Sequence, residues 1–190
     1  MARPKKPGGK RERLVEAAAR LAQRQGYRRT TLADIATESG VQLGNVYYYF
    51  RTKDDIGEAV LQHREGEFAF VRQHMDALPT PLERLLAFVD RTIASAPVVA
   101  ESGCPMGSLS AEFAKDGGGL AERAKSLLGE PMAWMAEQFG AMGAADPEGL
   151  ALQLQSSLQG ASLLTQTSRN PALLEREGCR LRKWLEGLAA

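Results

Sequence analysis

Helix start and stop signals follow one another closely near the beginning of the chain, and this spacing most constrains the fold. Gly26 is a stop signal for the helical pattern before it, and Gly40 is the next one. Between them, Thr31 with Asp34 three positions later is typical of a capped helix start. Another short helical pattern follows within three residues of Gly40. Helices this short are stable only when packed on neighbours, so the spacing predicts a compact group of three helices.

Composition extends the helical prediction to the whole chain. The 190 residues include 28 Ala and 24 Leu but only 8 Val and 3 Ile, so helix formers far outnumber the β-branched residues that strands favour. The two cysteines do not make a disulfide scaffold. We therefore predict an all-α protein with a three-helix N-terminal unit and a larger C-terminal helical domain.

Three segments are predicted along the chain. Residues 1–9 hold three positive charges, two prolines and two glycines without apolar periodicity, which is typical of a mobile basic arm. Residues 10–56 form the three-helix unit, and residues 57–190 form the larger helical domain. Thr52, followed by Asp55, predicts the capped start of a long fourth helix.

Prolines and apolar periodicity predict the helices of the larger domain. Pro97 is expected to end a helix that begins at Leu82, and Pro131 is expected to kink or divide a long one. The predicted helices are residues 82–94, 104–113, 120–142, 147–169 and 171–188.

The net charge of +1 conceals an uneven distribution of charge. Residues 1–53 contain 12 Lys and Arg against 4 Asp and Glu, a net charge of +8, whereas residues 54–190 contain 12 against 19, a net charge of −7. A basic segment joined to an acidic one favours a polyanionic partner such as nucleic acid. Chance clustering in a basic tail is the alternative explanation.

The third short helix separates an apolar face from a polar one. At about 100° per residue, Val46 and Phe50 point to one side, while Gly44 and Tyr48 point to the other with Asn45 and Tyr47 beside them. A face of this composition is poorly suited to a core.

Two short helices joined by a glycine-containing turn, after a first helix, predict a helix-turn-helix unit whose second helix can enter the major groove of DNA. Thr31, at a helix N-terminus, and Lys53, in the first turn of the fourth helix, are suited to phosphate oxygens.

Residues 30–36, the turn at Gly40 and Val41, residues 47–50 and Lys53 together resemble the TetR-type transcriptional regulators. The resemblance is close over residues 10–56 and extends to the rest only in helical character and length. It implies a homodimeric repressor that binds double-stranded DNA at an operator and is released by a small-molecule effector bound in the C-terminal domain.

The resemblance also implies individual DNA contacts. Gln42 departs from the small capping residue more usual at its position. The positions implied to face bases are Gln42, Leu43, Gly44 and Asn45, and those implied to touch the DNA backbone are Thr31, Tyr47, Tyr48 and Lys53.

The last two helices are the predicted dimer interface, and the resemblance implies that antiparallel pairs of these helices from two chains form a four-helix interface. The alternative is that their apolar stripes serve only the core of one subunit. The predicted interface residues are Leu154, Leu158, Ala161, Leu174, Leu181, Trp184 and Leu185.

A ligand cavity between helices is predicted from aromatic and sulfur-containing side chains, although such residues at helical spacing are also typical of an ordinary core. The candidate lining residues are Phe68, Cys104, Leu109, Phe113, Trp134, Met135 and Phe139. Cys104 begins a predicted helix, where the helix dipole favours a thiolate. This placement allows an oxidant or electrophile sensor, with a small buried apolar residue as the alternative.

Other functional classes receive no support from the sequence. His63 and His74 are too far apart for one metal ion, and no phosphate loop, dinucleotide fingerprint or nucleophile elbow is convincing. We expect no enzyme activity, metal or cofactor, no membrane span, and a cytoplasmic location. The alternative function is a helical ligand-binding or partner-binding module that lacks DNA-binding activity.

Overall fold

The computed structural model describes residues 9–188, and in this range the chain forms eleven α-helices and no strand. The predicted basic arm lies outside the described residues except for Gly9, which precedes the first helix. The helices are α1 (Lys10–Gln25), α2 (Leu32–Ser39), α3 (Leu43–Tyr49), α4 (Lys53–Asp76), α5 (Pro81–Ala94), α6 (Ala96–Ser102), α7 (Pro105–Asp116), α8 (Gly118–Ala124), α9 (Ser126–Ala141), α10 (Pro147–Ser168) and α11 (Ala172–Leu188). The all-α prediction is confirmed.

Three helices begin at threonines that make reciprocal caps. The hydroxyls of Thr31, Thr52 and Thr80 each accept a hydrogen bond from the backbone N–H three residues later, and the acidic side chain there accepts one from the threonine N–H. Each pair satisfies two backbone N–H groups that the helix leaves free. The predicted starts of α2 and α4 are therefore confirmed.

Two predicted helix limits are wrong. Pro97 does not end α5 but lies in the first turn of α6, where a proline is tolerated because the missing N–H would have no helical partner. The long helix predicted over residues 120–142 is divided at Lys125, whereas Pro131 lies inside α9.

The buried apolar residues form two main clusters. The first joins α1 to α4 with Leu109 and Phe113 of α7 and with residues of α8 and α9. The second joins α4, α5, α9, α10 and α11. Helix α4 runs across residue 56 and contributes to both clusters, so the division of the chain near that residue remains a prediction.

Candidate nucleic-acid interface

Helices α2 and α3 are held at a fixed angle by a tight turn and a small buried core. Gly40 ends α2 in the left-handed conformation at φ 66°, which a glycine adopts without strain. The N–H of Val41 then donates to the carbonyl of Ala36 at 3.1 Å. Below the turn, the side chains of Ile35 and Val46 are buried. The sequence motif thus produces the predicted helix-turn-helix geometry.

The opposite face of α3 is open to solvent. Tyr48 is 81% exposed and Tyr47 is 55% exposed, and the rings of Tyr48 and Tyr49 pack edge to face with centroids 5.0 Å apart. A Cβ at Gly44 would meet nothing within 4 Å. The protein's own packing therefore does not require a glycine at this position, and the α3 backbone is accessible to an approaching surface.

The remaining predicted base-facing residues lie beside Gly44 at the start of α3. Gln42 and Leu43 are exposed and Asn45 is half-buried. Gln42 occupies the capping position but makes no side-chain capping bond. Its amide is therefore not committed to the helix end, in contrast to the small capping residue that is more usual there.

The two predicted phosphate contacts on the flanks differ in their surroundings. Thr31 is exposed, and its hydroxyl accepts from the N–H of Asp34 at 3.1 Å, so its own O–H remains free to donate. The amine of Lys53 instead donates to the carbonyl of Arg28 at 2.7 Å and lies 5.0 Å from the ring centroid of Tyr27. Lys53 must leave this contact, or share its protons, to reach a phosphate.

Three exposed arginines near the starts of α2 and α4 were not among the predicted contacts. Arg28 and Arg29 precede α2, and Arg51 precedes α4. A sequence signal could have indicated these arginines: each stands just before a capped helix start. Helix N-termini attract phosphate, so a cation beside one is a candidate DNA-backbone contact. The guanidinium of Arg28 is ion-paired with Asp116 of α7.

Comparisons with known proteins agree with this geometry. The sequence model of the family described as "Bacterial regulatory proteins, tetR family" matches residues 14–60. The chain is 31% identical over 178 residues to the "Uncharacterized HTH-type transcriptional regulator YxaF" of Bacillus subtilis, covering 90% of this chain and 93% of that protein. The chain belongs to the TetR family.

Two further similarities cover different extents of the chain. It is 29% identical over 178 residues to the HTH-type transcriptional regulator LmrA of Bacillus subtilis, covering 90% of this chain and 95% of that protein. It is 32% identical over 83 residues to the HTH-type transcriptional repressor KstR2 of Mycolicibacterium smegmatis, which covers 43% of this chain and only 40% of that protein.

A solved structure shows the same fold over nearly the whole chain. The TetR transcriptional regulator from Legionella pneumophila superimposes with a TM-score of 0.85 at 21% identity, covering 96% of this chain and 98% of that one. The TetR-family chain is accordingly a transcriptional regulator with an N-terminal helix-turn-helix unit. A module without DNA-binding activity is not favoured.

Helix α7 joins the helix-turn-helix unit to the rest of the TetR-family fold. The carboxylate of Glu112 accepts from the N–H of Tyr27 at 2.8 Å and from the N–H of Arg28 at 2.6 Å. The ring of Tyr27 also packs edge to face on Phe113, with centroids 4.9 Å apart. We call these contacts the α7 joint; they anchor the turn that leads into α2.

The predicted ligand-lining residues do not converge on one cavity. Leu109 and Phe113 are buried in the first cluster, beneath the helix-turn-helix unit. The other four apolar candidates are buried in the second cluster, and the indole N–H of Trp134 donates to Asp76 at 2.8 Å. These four are Phe68, Trp134, Met135 and Phe139. Their side chains fill the core, and a partly exposed groove lies elsewhere, between α4 and α5.

Cys104 caps the N-terminus of α7 and is half-buried. Its sulfur accepts from the N–H of Gly107 at 3.4 Å and lies 3.6 Å from the amide nitrogen of Gln159 on α10. The thiol thus caps the helix that carries Glu112 and Phe113 of the α7 joint. Its use as a sensor remains a prediction.

The predicted dimer residues mostly belong to the core of the single chain. Leu154, Leu158, Leu174, Leu181 and Leu185 are each at most 2% exposed, so a partner chain cannot contact these side chains. Ala161 is also buried, and Trp184 packs against the second cluster. Their burial fits the alternative, in which these stripes serve the core of one subunit, because apolar periodicity does not tell the inner stripe of a helix from an outer one. The location of the dimer interface remains a prediction.

The two histidines make separate local contacts. The imidazole of His63 lies 3.4 Å from the carboxylate of Glu67, and that of His74 is 2.8 Å from the carbonyl of Phe70. Over residues 9–188, no cluster of His, Cys, Asp or Glu could hold a metal ion. In that range no helix combines the length and apolar character needed to cross a membrane.

Proposed function

We propose that this TetR-family chain is a dimeric repressor that binds a roughly palindromic operator and is released by a small-molecule effector. The exposed face of α3 supports the proposal most strongly. It presents two phenols, an amide and an uncovered glycine, while the other side of the same helix is buried. Such a helix is suited to the major groove, which is about 12 Å wide.

Charge supports the same orientation on DNA. The exposed arginines before α2 and α4 add positive charge to the helix-turn-helix unit, and residues 1–53 carry the net charge of +8. The acidic remainder of the chain, with −7, disfavours docking on DNA by any other surface. The repressor name of the KstR2 relative supports negative regulation.

An exposed face of α10 supports dimerisation. Leu163 is 61% exposed and Leu164 is 60% exposed, and Leu152, which is 56% exposed, lies about three turns before them. Between these leucines, Gly160 is exposed and a Cβ there would meet nothing within 4 Å. A flat apolar face with a small residue at its centre allows the same helix of a second chain to approach closely.

The α7 joint supports effector control. A shift of α7 relative to the helix-turn-helix unit when an effector binds would move its bonds to Tyr27 and Arg28, and with them the turn that positions α2 and α3. An effector that binds this displaced form more tightly than the DNA-binding form lowers DNA affinity. The loss equals the difference between its two binding free energies, typically about 1 to 3 kcal/mol. Two recognition helices would then no longer be spaced by one DNA turn of about 34 Å.

DNA binding is tested by selecting DNA from a random pool with the full chain and measuring affinity for the selected sequence. We expect Tyr48→Ala to weaken binding at least tenfold without lowering the melting temperature, because the ring makes few contacts within the protein. Val98→Ala, which removes an exposed apolar side chain from α6, is the control and should bind normally. Failure to enrich any sequence, or equal binding by both variants, would refute the proposal.

Dimerisation is tested by analytical ultracentrifugation. We expect the double variant Leu163→Glu with Leu164→Glu to sediment as a monomer with unchanged helical circular dichroism. Val98→Glu, which places the same charge at an exposed apolar position on α6, should leave the dimer intact. A double variant that remains dimeric would show that the interface lies elsewhere.

A further inference from the structure

A groove of about 340 Å³ lies between α4 and α5, at the edge of the second cluster, to which Met75 of its lining belongs. Its volume is within the range of small-molecule sites. Apolar side chains form most of its lining: Phe70, Val71 and Met75 on α4, Leu78 in the turn after α4, and Ala87 on α5. The polar members of the lining are His74 on α4 and Arg91 on α5. The small side chain of Ala87 leaves space that a larger residue would fill. The groove therefore has room for an apolar chain.

A single unpaired cation lies on the lining of this groove. Arg91 is in the last turn of α5 and is exposed. Within residues 9–188, its guanidinium has no ion-pair or hydrogen-bond partner. Leu78 lies in the turn that joins the two helices, whereas Arg91 is ten residues into α5, about 15 Å along its axis. Arg91 therefore lies one helical turn beyond Ala87 and well along α5 from the turn that holds Leu78.

Other arginines near the groove are committed to protein contacts. Arg72 binds Asp76 and Glu137, Arg84 donates to the carbonyl of Leu78, and Arg182 pairs with Asp90. Arg91 alone among these four presents a free guanidinium. Its planar fork matches the geometry of a carboxylate better than an amine would.

We propose that the α4–α5 groove binds an amphipathic carboxylate, with the apolar tail over Ala87 and Met75 and the carboxylate on Arg91. The proposal deepens the proposed function, on which it rests, by naming the chemical class of the effector. Ligand bound here would contact α4, which also carries Lys53 and Arg64 at the helix-turn-helix unit. The groove thus lies on a helix that reaches the DNA-binding unit directly.

The test is isothermal titration calorimetry of the chain of residues 1–190 with decanoate, and with decanol as the uncharged probe. We expect saturable binding of decanoate that is at least tenfold tighter than that of decanol. Arg91→Gln should abolish this preference, and Arg91→Lys should restore part of it. Arg176→Gln removes another exposed arginine on α11 and is the matched control, which should bind as the unmodified chain does.

A second variant tests the groove itself without changing charge. Ala87→Phe should fill the apolar floor and weaken decanoate and decanol binding alike. Equal binding of the two probes, or decanoate affinity unaffected by Arg91→Gln or Ala87→Phe, would overturn the proposal, as would binding by a second copy of the chain in place of ligand.

DNA binding measured in parallel separates this inference from the proposed function. A chain that binds selected DNA but not decanoate overturns the groove assignment alone. A chain that binds decanoate through Arg91 but enriches no DNA overturns the repressor function and leaves the ligand site standing. A tenfold or greater loss of DNA affinity with decanoate, absent in Arg91→Gln, supports both.

Discussion

The helix-turn-helix unit and the α10–α11 pair use apolar and aromatic side chains in opposite ways. On α3, the rings of Tyr47 and Tyr48 are exposed while Val46 beneath them is buried. On α10, apolar residues occur on both sides, so that Leu154 is fully buried and Leu163 is 61% exposed. A helix with one apolar face reveals its orientation in its sequence, whereas a helix with apolar residues on both sides does not.

The largest expected effect separates the two stripes of α10. Leu154→Ala should lower the free energy of unfolding by about 2 to 5 kcal/mol, because it removes a fully buried side chain from the second cluster. Leu152→Ala, on the exposed stripe of the same helix, is the control and should change it much less. Urea denaturation followed by circular dichroism measures both. Similar losses in the two variants would contradict the assignment of inner and outer stripes.

The same contrast explains which features could be predicted from the sequence. The limits of α2 and the start of α4 follow from local chemistry, since Thr31 and Thr52 each bond with an acidic residue three positions away. The open face of α3 follows from a seven-residue helix with a single buried residue, Val46. These signals are contained within one turn of helix.

Features that depend on distant partners could not be predicted in this way. Pro97 is compatible with either the end or the beginning of a helix, and the packing of α6 against α10 and α1 decides between them. The α7 joint brings Glu112 to Tyr27, 85 residues away in the sequence. Likewise, the hydrogen bond from the Lys53 amine to the Arg28 carbonyl depends on the fold of the intervening helices.

A substitution in the α7 joint tests whether its contacts hold the helix-turn-helix unit to the rest of the chain. Glu112→Gln should lower the free energy of unfolding by about 1 to 3 kcal/mol. The glutamine amide has only one oxygen acceptor, so its NH₂ group would face one of the two backbone N–H groups and leave that N–H without an acceptor. Hydrogen exchange at the amides of Tyr27 and Arg28 should accelerate. Lys115→Gln, an exposed change on the same helix, is the control. Unchanged protection of both amides would show that the joint does not anchor the turn.

Gly44→Ala is expected to change stability and DNA affinity in opposite directions. A Cβ at this position meets nothing in the protein, and alanine favours a helix by about 0.5 to 1 kcal/mol over glycine. The added methyl would nevertheless stand on the face of α3 that approaches DNA, so operator affinity should fall. Gly66→Ala, at an open and exposed helical position on α4, should gain similar stability without loss of operator affinity. Unimpaired operator binding by Gly44→Ala would place the DNA elsewhere on the unit.

The smallest expected effect concerns α4, which connects the two regions. Burial raises the pKa of the Glu67 carboxyl, but a hydrogen bond from His63 and the charge of Arg64 outweigh burial and lower the pKa to about 2 from a usual 4.5. Arg64 is itself buried and also donates to the carbonyl of Ala19 on α1 at 3.0 Å. Glu67 therefore stabilises a contact between α4 and the helix-turn-helix unit.

Because the pKa of Glu67 is lower in the folded state, its contribution is present above pH 4.5 and is lost as pH falls toward about 2. The side chain is 46% exposed, so solvent screening limits the contribution to less than about 1 kcal/mol. Glu67→Gln should therefore lower the unfolding midpoint slightly at pH 6 and flatten its decline between pH 4.5 and 2.5. Glu130→Gln, an exposed change on α9, should leave the decline unchanged. An equal acid response in both variants would mean that the link between α1 and α4 depends on the backbone contact of Arg64 alone.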